Sequence, residues 1–209
     1  MRNPVRSTAI FCLLISWTIL ALRSPGLCES EPVTANLREQ PFEANLPSGK
    51  TLHLQLHDGD YRIVGSDDDK ILIKADGKSL ELAAKIKVQF KRNGDQVDLK
   101  LSHVPKHELQ VTITIPKSTN LYGRMRGGDL SVEGVAGDKD LQLTGGNMTI
   151  QIGNPADYGH VDLSVRFGDV SGDQFGDPKG WLGNSLKHEG SGKYRLHAHV
   201  FAGDLVLKN

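Results

Sequence analysis

Two sets of side chains in this sequence have the types and spacing that chemistry requires. The first is a recurring Gly-Asp or Gly-Asn pair: Gly59-Asp60, Gly128-Asp129, Gly146-Asn147, Gly168-Asp169 and Gly203-Asp204. Two copies are preceded by an arginine, as Arg126-Gly-Gly-Asp129 and Arg166-Phe-Gly-Asp169. Stacked one above another, Asp129, Asn147, Asp169 and Asp204 would make a row of side-chain oxygens. Such a row offers hard ligands for Ca²⁺, or carboxylates for acid–base work on a polysaccharide. The competing reading is structural and weighs more: Asp and Asn at turns accept hydrogen bonds from nearby backbone amides and tolerate unusual dihedrals. The glycine-aspartate calcium repeat of secreted toxins is broken after its third residue in both Gly127-Gly-Asp-Leu-Ser-Val and Gly145-Gly-Asn-Met-Thr-Ile, so no metal ligand set is assigned.

The second set is histidine, with His53 and His57 at one alternation and His197 and His199 at another. Alternate positions of a strand share a face and can share a metal, but the spacing supplies no third ligand. Gly190-Ser-Gly-Lys193 imitates the end of a phosphate loop, yet Lys187 stands where that motif needs glycine and Tyr194 where it needs Ser or Thr. No nucleophile elbow or His-Glu-x-x-His pair occurs, and the expectation is a non-enzyme without catalytic residues or cofactor.

The elements that must position these residues are strands. Around each Gly-Asx pair an apolar alternation stops and resumes with its phase shifted by one: Leu141 and Leu143 precede Gly146-Asn147, and Met148, Ile150 and Ile152 follow. Likewise Leu163, Val165 and Phe167 precede Gly168-Asp169, with Val170 after. Strands have period two, so the pair is a corner that returns apolar side chains to one core. The same rule assigns Val132, Leu143, Ile150, Leu163 and Val165 inward, with Ser131, Gln142 and Asp162 outward. Successive glycines at 128, 146 and 168 lie 18 and 22 residues apart, a spacing that suggests stacked coils. The expected fold is all-β, a β-solenoid-like stack of short strands with Gly-Asp/Asn corners. An antiparallel β-sandwich of hairpins is the alternative, because a two-residue hairpin at Gly-Asp gives the same phase.

Other elements fill in around the repeat. Asn93-Gly94 predicts a hairpin between Val88–Phe90 and Val97–Leu101, and Leu109, Val111, Ile113 and Ile115 predict a strand ended by Pro116. Leu80 to Ala84 is the one stretch with helix propensity. Between Gly168 and Gly203 the glycine density predicts a long loop without strands of its own. Within it residues 173–192, with Phe175 and Trp181 and the adjoining Tyr194, offer aromatic platforms for a sugar ring or a plug over the end of the core.

The N-terminus is organised differently. Arg2 and Arg6 precede an apolar run from Ala9 to Leu22, the pattern of a secretory signal peptide over residues 1–30, with cleavage before Leu27 or Glu31. A short tether is expected over 31–40 and a single all-β domain over 41–209. Loss of residues 1–30 removes Arg2, Arg6, Arg23 and Glu29, leaving 22 basic against 24 acidic residues, which excludes a charge bias toward nucleic acid. Cys12 leaves with the signal and Cys28 sits at the cut, so an intramolecular disulfide is not expected.

The run Val111-Thr-Ile-Thr-Ile-Pro116, then Asn120-Leu121, Gly127-Gly-Asp-Leu-Ser-Val-Glu-Gly134 and Val135-Ala-Gly137, resembles the core pattern of the bacterial putative-adhesin family. Gly190-Ser-Gly-Lys-Tyr-Arg-Leu196 and Ala202-Gly-Asp-Leu-Val-Leu207 resemble its closing segment, and the likeness spans Phe42 to Asn209. That resemblance implies a solenoid-like exported domain in the periplasm or on the surface of a bacterium. The function expected is a structural, adhesion or protein-interaction module of the cell envelope, its partner an envelope protein or glycan. Binding of a glycan or small ligand through 173–192 is the alternative.

Overall fold

The computed structural model describes residues 37–77, 80–180 and 183–209. The signal peptide, its cleavage site and Trp181 lie outside the described residues. Among the described residues sixteen strands follow in order: β1 Phe42–Asn45, β2 Thr51–Leu56, β3 Asp60–Ser66, β4 Lys70–Gly77, β5 Lys87–Asn93, β6 Gln96–Ser102, β7 Leu109–Pro116 and β8 Asn120–Gly127. Then come β9 Leu130–Glu133, β10 Lys139–Gly145, β11 Met148–Gln151, β12 Tyr158–Phe167, β13 Val170–Ser171, β14 Asn184–Glu189, β15 Tyr194–Ala202 and β16 Leu205–Lys208. The stretch with helix propensity forms only a 3₁₀ turn, Leu80–Lys85.

The strands make two mixed sheets. The first runs β1-β4-β7-β3-β9-β11-β16-β13 and the second β14-β12-β15-β10-β8-β2-β6-β5. Their inward side chains, from Leu37 to Leu207, join one hydrophobic core. Leu37 falls within the stretch expected to be a tether, yet is only 5% exposed. All five positions assigned inward are buried, with Val132, Ile150 and Leu163 fully enclosed.

Each Gly-Asx pair is where the chain leaves the second sheet for the first: β2 passes to β3, β8 to β9, β10 to β11, β12 to β13 and β15 to β16. The two strands around a corner therefore form a rung, and neighbouring rungs pair in parallel in both sheets, as β8, β10 and β15 do. Rung order departs from chain order, because β15 and β16 lie between the β10–β11 and β12–β13 rungs. The sheets are open and do not close into a barrel. A solenoid that climbs coil by coil along the sequence is thus not shown. A two-layer sandwich fits, with parallel pairing at its centre in place of the expected hairpins; antiparallel pairs appear toward the ends as β5–β6, β12–β14 and β1–β4–β7, and of these β5–β6 alone joins consecutive strands as a hairpin.

Two further expectations need correction. The segment between Gly168 and Gly203 contributes an edge strand, β14, paired antiparallel with β12. Its glycines flank Asn184–Glu189 rather than interrupt it. Phe167, assigned inward by phase, is 59% exposed and meets Phe201 edge to face at 5.4 Å. It sits at the last residue of β12, where the chain has already begun to leave the core.

Candidate functional site

The Asx row exists, and its chemistry is used within the protein. Running across the rungs, Asp129 N–H donates to Asp60 Oδ1 (3.3 Å), Asn147 N–H to Asp129 Oδ1 (3.2 Å), Asp204 N–H to Asn147 Oδ1 (3.3 Å) and Asp169 N–H to Asp204 Oδ1 (3.0 Å). Asn184 closes the row, its Nδ2 donating to Asp169 Oδ1 at 3.0 Å. Each side chain therefore caps the backbone of the next rung, where turn chemistry led us to expect a bond within its own turn. The glycine before it is required twice over. At Gly146, φ is +120°, and a Cβ there would stand 2.0 Å from the Gly128 carbonyl oxygen. The sequence pattern found five of the six as Gly-Asx pairs and placed four of them in the row. That Asp60 stands at one end, and that Asn184 joins from the edge strand, becomes visible only once the rung order is known.

The paired arginines do not join this row. Arg166 lies over the Phe167 ring at 6.0 Å, while Arg126 lines a depression of about 310 Å³ with Arg124, Gln142 and Thr144 on the outer face of the second sheet. Among the described residues no group of three His, Cys, Asp or Glu side chains is arranged to hold a metal ion.

That outer face gathers the histidines. Strand register aligns one residue from each of the eight strands: Lys187, Asp162, His197, Asp140, Tyr122, His53, Asp98 and Lys91. At ordinary strand spacing the row is about 33 Å long. His53 stacks on the Tyr122 ring (5.1 Å between centroids, 29° between planes), and Tyr122 is 38% exposed. His197 Nδ1 lies 3.2 Å from Asp140 Oδ1, which also accepts from Arg124 Nη1 at 3.1 Å. Partial burial works to raise the Asp140 pKa, but the Arg124 and His197 hydrogen bonds and charges prevail and hold it below the usual carboxylate value. His199 Nδ1 bonds Ser164 Oγ at 2.9 Å. That pair has a nucleophile and a base, but among the described residues no carboxylate orients the ring as a triad would require. His57 lines the Arg126 depression. The outer face of the first sheet differs in kind: the corresponding row is Lys74, Thr112, Arg62, Ser131, Thr149, Val206 and Ser171.

The 173–192 segment supplies a plug. Phe175 is 9% exposed, edge-on to Tyr158 at 6.3 Å and against His188 at 5.0 Å. Tyr194 is half-buried beside Tyr158 at 6.1 Å, with Lys193 Nζ over its ring at 4.5 Å. Beneath the same aromatic cluster lies a group that the sequence reading passed over. Lys139 is 2% exposed, and its Nζ donates to the Gly137 carbonyl (2.9 Å) and the Tyr158 hydroxyl (2.8 Å). Burial depresses its pKa to about 8, against a smaller opposing pull from Asp138. The signal was present, since Lys139 is in phase with Leu141 and Leu143.

No family model matches the sequence, and no curated protein matches it. Among solved structures the chain is similar to a putative cell adhesion protein from Clostridium sporogenes, at 14% identity over 81% of this chain and 98% of that one, with a TM-score of 0.47. It is also similar to a putative adhesin from Bacteroides fragilis (11% identity, 80% and 96% covered, TM-score 0.27). A third is a putative lipid binding protein from Parabacteroides distasonis (8% identity, 81% and 96% covered, TM-score 0.23).

Proposed function

We propose that this chain is an exported, non-catalytic interaction module of the bacterial cell envelope that works through the outer face of its second sheet. The observation that carries this reading is the asymmetry of the two faces. One aligns two histidines, three aspartates, two lysines and Tyr122 in register across eight strands, while the corresponding row of the other is Thr, Ser and Val apart from Lys74 and Arg62. The carboxylates that looked most like a catalytic or cation-binding row are engaged in holding rungs together, which leaves the in-register His, Asp and Tyr row of the second sheet as the better-supported surface. Export is supported by Arg2, Arg6 and the apolar run Ala9 to Leu22. In this reading the rungs form a solenoid-like body that is rigid along its stacking direction, which suits a surface meant to meet an extended partner.

The test is photo-crosslinking in the native host, with a photoreactive residue at Gln142 on the second sheet or at Ser131 on the first. Adducts are expected from position 142 and not from 131. Equal yields from both, or adducts from 131 alone, would overturn the assignment of the face.

A further inference from the structure

We propose that the depression beside Tyr122 binds a neutral saccharide, a reading that rests on the second-sheet face being the working surface. The depression is about 250 Å³ and lies over β8, β10, β15 and β12, with Tyr122 on one side and His160, Asp162 and Arg195 on the other. Its groups fall into two kinds. Some are already fixed by protein partners: Asp162 pairs with Lys187 at 3.2 Å, and Asp138 Oδ1 accepts the Arg195 backbone N–H at 2.9 Å. Others line the depression without a protein partner among the described residues, namely the Arg195 guanidinium, the Tyr122 hydroxyl and the second oxygen of Asp140, whose first oxygen is held by both Arg124 and His197. A fixed acceptor, a fork of donors and a hydroxyl around a half-exposed aromatic ring make a site for a molecule that is apolar on one side and hydroxylated at its edge.

Charge selects the class. Asp138, Asp140, Asp162 and Glu189, which lies 2.7 Å from His160, are balanced by Arg124, Arg195, Lys187 and Lys139, so the site offers no net attraction to a polyanion or a cation. An apolar peptide would leave the Asp140 oxygen and Arg195 desolvated without partners, at a cost in affinity. A pyranose ring places C–H bonds against Tyr122 and offers adjacent hydroxyls to Asp140 and Arg195. His53, stacked on the far side of Tyr122, holds the ring in position and leads into a second depression of about 390 Å³ lined by Gln55, Phe90, Asp98 and Lys100. The face can thus take more than one sugar unit along the row.

The experiment titrates the isotope-labelled chain, from residue 31 onward, with the N-acetylglucosamine tetramer and the glucose tetramer up to about 10 mM, read by amide chemical shifts. At least one should shift Tyr122, Asp140 and His197. Tyr122→Ala should weaken binding roughly tenfold or more, while Tyr122→Phe stays within about threefold and Arg195→Ala weakens it to a similar degree as Tyr122→Ala. Raising salt from about 0.05 to 0.5 M should leave the affinity within about twofold, as a neutral ligand requires. No shift with either tetramer, shifts confined to 173–192, or binding indifferent to Tyr122→Ala would each overturn the proposal. Protein adducts from position 142 in the host, with no sugar response here, would keep the working face and discard the saccharide.

Discussion

At Asp129 one carboxylate oxygen accepts two bonds from the next rung, from Asn147 N–H and Nδ2. Asp129→Ala removes that acceptor at an exposed corner where water can substitute, so the loss should be about 0.5–2 kcal/mol by urea denaturation. Gly146→Val should cost more than about 3 kcal/mol, because a β-branched residue resists its positive φ and the added Cβ overlaps a carbonyl. Millimolar Ca²⁺ should leave the melting temperature of the wild type unchanged; a rise of several degrees that Asp129→Ala abolishes would make the row a cation site. Lys139 gives a different signature. Its pKa is near 8 in the folded chain and 10.5 unfolded, so between these values the unfolded state binds more protons and stability must rise with pH. From pH 8 to 10 the wild type should gain about 2 kcal/mol over Lys139→Met, measured by denaturation at each pH. Above pH 10 the raised pKa of buried Tyr158 works the other way, since the unfolded tyrosine ionises first. The Gly-Asx corners could be read from sequence because glycine and Asx are rare mid-strand and recur at fixed phase. The partner of each oxygen could not, because it belongs to a rung that chain order does not identify.

Among the strands, alternation was enough to sort faces. Leu143 is 1% exposed on β10, and Leu143→Ala should cost about 2–5 kcal/mol, whereas Gln142→Ala, one residue away on the outer face, should stay within about 0.5 kcal/mol. Equal effects by thermal denaturation would mean that the faces are reversed. The β5–β6 hairpin around Gly94, with φ of +60°, and the strand ended by Pro116 were legible for the same local reasons. β14 was not, because six residues with little alternation, Asn-Ser-Leu-Lys-His-Glu, become a strand only by adding to the exposed edge of β12. Phe167 was misplaced for a related reason: phase carries on through a strand's last residue, whereas burial ends where the core does. The second-sheet face was legible only in pieces, as His53 with His57, His197 with His199, and the outward Gln142 and Asp162. Tyr122, His53 and Asp140 come from three strands, and only the parallel register brings them side by side.

For the molecule as a whole, the order of rungs decides how it responds to shortening. In a linear array an end unit can be removed at the loss of one interface. Here residues 194–208 supply an internal rung, so truncation after Glu189 should detach the β12–β14 pair and β13 from the rest of both sheets and abolish the cooperative melt by circular dichroism instead of merely lowering its midpoint. Intact-mass analysis of protein from its own host should find a chain beginning at Leu27 or Glu31; one that retains Met1 would refute the signal-peptide reading. Non-local pairing of this kind also makes folding slow for the chain's size. A ribosome or a translocation pore delivers β15 and β16 after every other rung, yet they belong in the middle of the stack. The unfinished chain thus has a gap where its last strands go, and it stays open and threadable until they arrive. The topology works as a timer, postponing closure of the core until residues 194–208 have been delivered.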